Sequence, residues 1–393
     1  MTDTALKPPE TERLFTRPAA AASCVGFVLI GMLQALYGPA VPGLRAEYGL
    51  DPSSAGLGLS LHFTGGVAGV LVFNAVHSRT TNRALLATSY GLMAAGSAGF
   101  ALAPNWPTAL AAAFAGGLGF GGIDYSLNQL FAVGFGSRST AMLNVLNAHF
   151  GIGAVLGPAL IAWLGPDNYP YTFAVCAAMA GLLMLCTGGV RTRGTATEGP
   201  RTSMARGVLS RVLVGFLALY ILNVAVEAGV GGWEPTHLET VGYSAAAAAS
   251  ATSVYWLMMT AGRFLVVPVT LKYAPERILA VCAAGMTLCL LLALDKALAP
   301  VAYAGVGLFI APVFPTGLPW LNKVLPEARR AGAWVIAASM VGGVAAPPML
   351  GVGIEVSGIR TVPWLLTALS AASLVATAWL IGMTRTSSGA KSA

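Results

Sequence analysis

The chain has 393 residues, of which 56% are hydrophobic and only 9% are charged, and its mean hydropathy is +0.73. A water-soluble protein of this length could not cover so much apolar surface with a polar exterior, which excludes a soluble globular enzyme or binding protein. The net charge of +7 is spread over short polar breaks and forms no basic patch, which argues against a nucleic-acid-binding protein.

Twelve stretches of about 20 apolar residues follow one another along the chain, and each is long enough to cross a hydrocarbon layer about 30 Å thick as a helix. The apolar runs are continuous and show no period-two alternation, which favours helices over strands. We therefore predict an all-α integral membrane protein. The predicted spans are 19–43, 55–77, 84–103, 107–134, 142–164, 170–189, 209–231, 245–271, 277–295, 299–322, 330–353 and 361–383.

Basic residues lie at alternate breaks between the spans and predict the orientation. Eighteen of the 22 Lys and Arg fall on the side that holds both termini, three (Arg45, Lys296 and Arg360) fall on the other side, and Arg263 lies within a span. Because cytoplasmic loops are enriched in Lys and Arg, both termini are expected in the cytoplasm of a multi-pass cell-membrane protein, which in a bacterium is the inner membrane. No cleavage site follows a short apolar run near the N-terminus, so residues 1–18 are predicted to be a cytoplasmic tail.

A long polar break rich in Gly, Thr and Arg, at 190–208, divides the spans into six and six. The two sets are weakly similar at an offset of about 190 residues, as the pairs Gly26/Gly215, Gln34/Asn223, Gly153/Gly343 and Pro158/Pro348 show. We therefore predict two pseudo-symmetric bundles, a design that allows one half to rock against the other. The predicted segments are the N-terminal tail 1–18, a first bundle 19–189, a linker 190–208, a second bundle 209–383 and a C-terminal tail 384–393.

Several motifs resemble the major facilitator superfamily, in particular its fucose-permease-like and sodium-dependent-glucose-transporter-like branch. They are 116–124 (GGLGFGGID), Asn128, 135–138 (FGSR), 143–144 (LN), 149–158 (HFGIGAVLGP), Tyr220, Glu227, 231–233 (GGW) and 262–264 (GRF). The resemblance covers essentially the whole chain and implies a secondary transporter for a sugar or similar polyhydroxylated solute, with proton symport. The loop between spans 2 and 3 departs from the family pattern, because it keeps basic residues but lacks the family's Gly and Asp.

Ionisable residues inside predicted spans are candidates for proton coupling or gating, because each costs at least about 2.5–3.5 kcal/mol to insert. Asp124 and Asn128 are four residues apart and share a helix face, as do Asn223 and Glu227. Either carboxylate could carry a proton through the cycle, or each could be a fixed gate partner, Asp124 pairing for instance with Arg263. The proposed coupling or gating residues are Asp124, Glu227, His149 and Arg263, although His149 could equally be a buried packing residue.

Amide and aromatic side chains within the spans are candidates for solute binding. Amides both donate and accept hydrogen bonds, which suits hydroxyl-rich ligands, and an aromatic face stacks on a sugar ring. The candidates are Gln34, His62, Asn128, Asn147, Asn223, Tyr255 and Trp256. The alternatives are that the amides join helices and that His62 and Trp256 serve in packing. Pro312, Pro315 and Pro319 interrupt span 10, which makes that span a candidate moving gate.

Other functions remain open at this stage. A proton-driven exporter of drugs or metabolites would use the same fold, but Val145 and Ile161 stand where the antiporter motif of span 5 requires Gly. A non-transporting sensor or a lipid flippase is a further alternative. No phosphate-binding loop and no nucleophile–base pair is recognisable, so neither ATP drive, nor a cofactor, nor catalysis is expected. We predict a monomer whose partners are a small solute, a coupling proton and membrane lipid.

Overall fold

The computed structural model describes residues 14–135, 139–190, 211–324 and 332–389. The predicted linker and most of both predicted tails lie outside these residues. The helices are α1 Arg17–Tyr48, α2 Pro52–Val76, α3 Asn82–Ala101, α4 Trp106–Gly134, α5 Ser139–Leu164, α6 Tyr169–Leu185, α7 Arg211–Thr240, α8 Ala245–Leu265, α9 Val267–Thr270, α10 Pro275–Leu292, α11 Ala299–Ile310, α12 Val313–Val324, α13 Gly332–Ser357 and α14 Val362–Gly389.

Successive long helices run in opposite directions and give the molecule two ends. The side on which α1 begins and α6 ends, next to the linker, is called the linker face, and the opposite side is called the distal face. Phe15 stacks on Phe135 at the linker face, with ring centroids 5.5 Å apart. Tyr48 donates a hydrogen bond to the Ala103 carbonyl at the distal face. The helix starts carry their expected caps, since the side chains of Asp51, Thr81, Asn105 and Ser244 accept backbone N–H groups.

The helices form two pseudo-symmetric halves of six spans each, as the sequence predicts; in the second half the short helices α9 and α12 continue the spans of α8 and α11. In the first half α1 packs on α5, α2 packs on α4, and α3 packs on α4 and α6. In the second half α7 packs on α13 and α14, α8 packs on α11, and α10 packs on α11 and α14. Each half has its own cluster of buried apolar side chains. Among the described residues, eleven helical segments are long and apolar enough to cross a membrane, and α4, with its glycines and Asp124, is the predicted span outside this set.

Two predicted spans differ from the helices observed. The helix α7 continues to Thr240 instead of ending near residue 231, because residues 232–238 are all buried and Pro235 is accommodated within the helix. Predicted span 10 is two helices, α11 and α12, separated at Ala311 and Pro312. Proline lacks a backbone N–H and clashes with the preceding turn, so a break at this point has a direct physical cause.

The halves meet mainly along three helix pairs: α1 with α7, α2 with α13, and α5 with α8. On the distal side the contact is closed. The backbones of Gly38 and Gly231 touch, and a Cβ atom on Gly38 would overlap the Gly231 carbonyl oxygen. The Ser60 hydroxyl donates to the Val344 carbonyl oxygen at 2.5 Å. At the distal edge the Ser53 N–H donates to Glu355 Oε1 at 2.8 Å.

Candidate functional site

Three predicted polar residues form a hydrogen-bonded chain between α4 and α5. Asn128 Nδ2 donates to Asp124 Oδ1 at 2.9 Å and also to the Asp124 carbonyl oxygen. Asn147 Nδ2 donates to Asn128 Oδ1 at 3.1 Å. The four-residue spacing of Asp124 and Asn128 therefore places them on one face, as predicted. All three side chains are half-buried, so this hydrogen-bonded chain is accessible from the neighbouring space.

Gln34 and Glu227 occupy equivalent levels on facing helices. Both α1 and α7 run from the linker face to the distal face, and their backbones meet at Gly38 and Gly231. Gln34 and Glu227 each lie four residues before the contacting glycine, one turn closer to the linker face on the same stripe. Gln34 is buried and Glu227 is half-buried. The carboxylate and the amide thus lie directly beneath the distal closure, between the two halves.

The helix α8 adds aromatic groups at this depth and a cationic group about two turns closer to the linker face. The Tyr255 hydroxyl lies 3.4 Å from the Glu227 carbonyl oxygen, to which it donates, and Tyr255 packs edge-on against Trp256. Trp256 reaches across the interface to Phe150 of α5, with ring centroids 6.4 Å apart. Arg263 follows on the same stripe of α8, is exposed, and interacts electrostatically with Glu227. Among the described residues Asp124 is hydrogen-bonded to Asn128, and no ion pair joins it to Arg263, the partner considered for it from the sequence.

The contact between α5 and α8 brings the polar residues of the first half next to those of the second half. Gly151 packs against Thr260 and Phe150 packs against Trp256, and the two helices run in opposite directions. One turn toward the linker face, Asn147 on α5 therefore lies level with Arg263 on α8. The hydrogen-bonded chain of α4 and α5 lies on one side of this interface, and Glu227 of α7 and Arg263 of α8 lie on the other.

Two buried hydrogen-bonding atoms beside Glu227 have no partner within the part of the chain that the structure describes. They are Asn223 Oδ1, one turn from Glu227 on the stripe of α7, and Trp256 Nε1. The Tyr220 hydroxyl also has no such partner, but it lies inside the second half, against Gly317 of α12. Buried polar groups in native proteins are nearly always hydrogen-bonded, so unpartnered atoms gathered at one place indicate a site for a polar ligand or for water.

Two predicted site residues lie apart from this group. His62 is fully buried inside the first half, where its ring packs against Tyr37 and Phe120 and Nδ1 is 3.5 Å from the Tyr37 hydroxyl. His149 is bonded through Nδ1 to the carbonyl oxygen of Val145 at 2.7 Å. It shares its helix face with Val145, Ile152 and Leu156, all more than 40% exposed, which is the outward face of α5. Neither histidine is brought next to Glu227 or Asp124.

Glu234 and His237 are buried polar residues that the sequence prediction missed. Glu234 is 0% exposed and His237 is 3% exposed, both on α7. They fall beyond the predicted end of span 7, because the apolar run stops at Gly232 and is followed by Trp233 and Pro235, residues typical of a membrane boundary. The regular spacing of Glu227, Glu234 and His237 on one helix face was the available signal.

The sequence model of the Major Facilitator Superfamily matches residues 23–294. The cyanate transport protein CynX of Escherichia coli K12 is 27% identical over 345 residues, which are 76% of this chain and 88% of CynX. An uncharacterised transporter of the same type from Yersinia pestis is 24% identical over 264 residues, so the chain spans just under two thirds, 66%, of that relative.

Two solved structures share the fold at low sequence identity. A structure of the nucleoside transporter NupG superposes with a TM-score of 0.75 at 13% identity, covering 93% of this chain and 98% of NupG. The D-xylose-proton symporter superposes with a TM-score of 0.74 at 16% identity, covering 92% and 96%. With its twelve predicted spans in two halves and a family match over more than half its length, this chain belongs to the Major Facilitator Superfamily and is a membrane transporter, not an enzyme.

Proposed function

We propose that this protein is a secondary transporter that moves a small polar solute, a sugar or polyol, by alternating access. The observation that carries the proposal is the set of unpartnered atoms beneath the distal closure, Asn223 Oδ1 and Trp256 Nε1, beside the half-buried Glu227. A hydroxylated solute could donate to the amide oxygen and accept from the indole N–H, and the amides of Gln34 and Asn147 offer further partners. The indole and phenol rings of α8 offer apolar faces to a sugar ring.

We further propose that transport is coupled to protons through Glu227, with Asp124 as the alternative carrier. Glu227 lies between the halves beneath a closed distal contact, has Arg263 within electrostatic range, and is not fixed in a hydrogen-bonded ion pair among the described residues. A carboxylate in this position can bind a proton from one side and release it on the other as the halves rock. The D-xylose-proton symporter, whose fold this chain shares, is by its name a transporter of this kind.

A small anion is the second candidate substrate. It is favoured by the similarity to the cyanate transport protein CynX, which extends over 76% of this chain. The exposed Arg263 at the interface could pair with an anion in place of Glu227 once that carboxylate is protonated. Such a substrate would need no hydroxyl groups for recognition, so a binding screen can distinguish an anion transporter from a sugar transporter.

The test begins with a thermal-shift screen of the purified protein against sugars, polyols, nucleosides, cyanate and cationic drugs. Solutes that stabilise the protein are then tested in proteoliposomes for counterflow and for accumulation driven by an imposed pH gradient. We expect a sugar or polyol to stabilise the protein and to accumulate with the gradient. Stabilisation by cyanate alone would favour the anion transporter, and stabilisation by cationic drugs alone would overturn both candidates in favour of an exporter.

Substitution of Glu227 by Gln tests the coupling. The amide cannot exchange a proton, so we expect E227Q to lose gradient-driven accumulation far more than counterflow. The matched control is E239Q, at a half-buried position near the distal end of the same helix. If E227Q still accumulates solute with the gradient as the unmodified protein does, Glu227 is not the carrier, and D124N becomes the variant to test.

A further inference from the structure

One side-chain hydrogen bond across the distal closure goes to a backbone carbonyl that its own helix cannot satisfy. The Ser60 hydroxyl on α2 donates to the carbonyl oxygen of Val344 on α13. In a regular helix this oxygen accepts the N–H of the residue four positions later, but that residue is Pro348, which has no N–H. Ser60 is buried, so the bond is shielded from water. The first half thus satisfies a carbonyl that lacks its helical donor in the second half.

Prolines stand at the same spacing in the other three interface helices that run toward the distal face. In each, a proline follows four residues after a residue that meets the other half: the Gly38 and Gly231 backbones touch, and Ala154 is buried among the apolar side chains of the second half. The pairs of contact residue and proline are Gly38/Pro42 on α1, Ala154/Pro158 on α5, Gly231/Pro235 on α7 and Val344/Pro348 on α13. A carbonyl without its helical donor therefore lies at each of these contacts.

Ser253 on α8 is the counterpart of Ser60 in the repeated topology. Each serine lies nine residues after the residue that caps its helix, Asp51 for α2 and Ser244 for α8. The helix α2 packs on α13 of the opposite half, and α8 packs on α5 in the corresponding way. The repeat therefore predicts that Ser253 meets the carbonyl that precedes the corresponding proline of α5, which is the carbonyl of Ala154.

The contacts between α5 and α8 agree with this pairing. Phe150 packs against Trp256, and one turn toward the distal face from that contact lie Ala154 on α5 and Ser253 on α8. Ser253 is buried, and its hydroxyl has no hydrogen-bond partner within the part of the chain that the structure describes. One of the two corresponding serines is thus bonded to the opposite half, and the other lies at the matching level with its hydroxyl unpartnered among these residues.

We propose that Ser60 and Ser253 are gating residues of the transport cycle, each donating to a proline-freed carbonyl of the opposite half when the distal side closes. The bond from Ser60 to Val344 is formed in this structure, and the bond from Ser253 to Ala154 forms when α8 completes its approach to α5. Opening of the distal side breaks both bonds and lets water hydrate the separated groups. Both bonds join neutral groups, so they hold the distal side closed whether or not Glu227 carries a proton. The proposal rests on the proposed alternating access.

Spin labels on the distal side of the full-length protein in nanodiscs test the first bond without any solute. Labels at the exposed positions 102 and 296, in a cysteine-free background, report the ratio of distal-open to distal-closed molecules. Loss of one hydrogen bond between neutral groups should raise this ratio about three- to tenfold in S60A. The matched control S373A removes another buried serine hydroxyl, which lies inside the second half on α14, and should leave the ratio unchanged.

A second pair of substitutions tests whether the proline-freed carbonyl is the acceptor. P348A restores a helical N–H to the Val344 oxygen, so we expect a similar rise in the ratio and no further rise in the double variant S60A/P348A. The control P347A restores an N–H to the preceding carbonyl, that of Gly343, so its effect should multiply with that of S60A. An unchanged ratio in S60A, or effects of S60A and P348A that multiply, would overturn the first bond as a gating contact. Should P348A not be recovered folded, the comparison of S60A with S373A decides.

The second bond is tested in the same way with S253A and P158A. We expect each to raise the ratio about three- to tenfold and the double variant to raise it no further. An unchanged ratio in S253A would overturn the second bond and leave the first. If the unmodified protein shows both distances and neither serine variant shifts their ratio, only this proposal fails. If the unmodified protein and every variant show the same single distance, the halves do not move, and the proposed alternating access fails together with this proposal.

Discussion

Asp51 stabilises the start of α2 through its charge. Its carboxylate accepts the Ser54 N–H at 2.7 Å and the Ser53 hydroxyl at 3.0 Å. These bonds, above all that from the Ser54 backbone, hold the pKa of Asp51 below its usual value. Replacing it by Ala removes the cap, which costs about 0.5–2 kcal/mol. We expect D51A to lower the apparent Tm of the purified protein at pH 7.

The pH dependence of this effect follows from the direction of the shift. Because the pKa of Asp51 is lower in the folded protein, the stabilisation is complete above the usual aspartate pKa and is lost as the pH falls through the folded value. The difference in Tm between D51A and the unmodified protein should therefore shrink on acidification. The control D51N keeps a capping oxygen without titrating, so its own capping should not vary with pH. A difference for D51A that is constant between pH 7 and pH 3 would contradict the charged cap.

The residues show what spacing can and cannot predict. Asp124 and Asn128 form their hydrogen bond because residues four apart must share a helix face, a fact of backbone geometry alone. His149 lies on the face of α5 that also carries the exposed Val145 and Ile152, and nothing in the sequence of one helix shows which face meets a neighbour. Glu234 was missed because a window of apolar residues cannot detect polar groups that other helices enclose.

At the level of helices, the contact of Gly38 with Gly231 controls closure of the distal side. A Cβ atom at residue 38 would overlap the Gly231 carbonyl oxygen, so we expect G38A to hold α1 and α7 apart and to slow transport at least tenfold. The matched control is G181A, because nothing lies within 4 Å of a Cβ atom added there.

Spin labels on the distal side measure this closure. Leu102 of the first half is 82% exposed and Lys296 of the second half is also exposed, so both accept labels in a cysteine-free background. The distance between them should lengthen in G38A and remain unchanged in G181A. Equal distance distributions in all three proteins would show that this backbone contact does not limit closure.

The helix limits show why hydropathy predicts the existence of a helix better than its ends. The helix α7 passes residue 231, where the predicted span ends, because the second half buries the following turn. That turn includes Trp233, whose indole donates to the Pro347 carbonyl oxygen at 3.0 Å. That stabilisation comes from α13, more than one hundred residues away, and is invisible to a local window. The break at Pro312, by contrast, is local in origin and was marked by its prolines.

For the whole molecule, the distribution of basic residues predicts that the linker face lies in the cytoplasm. In a cysteine-free background, K296C should react with a membrane-impermeant maleimide in intact bacterial cells, because its loop is at the distal face. R79C, in the break between α2 and α3 at the linker face, should react only after the cells are broken. The opposite pattern would show that the orientation derived from Lys and Arg is inverted.

The two halves have the same topology, but one pair of corresponding helices differs in continuity. The helix α4 is continuous from Trp106 to Gly134, whereas its counterpart in the second half is divided at Ala311 and Pro312 into α11 and α12. A helix divided in this way has a hinge, about which α12 can bend while α11 stays packed. In the proposed transport cycle this difference gives the second half a hinge that the first half lacks. We therefore expect the opening toward the linker face to narrow first by bending of α12, before the bundles rotate.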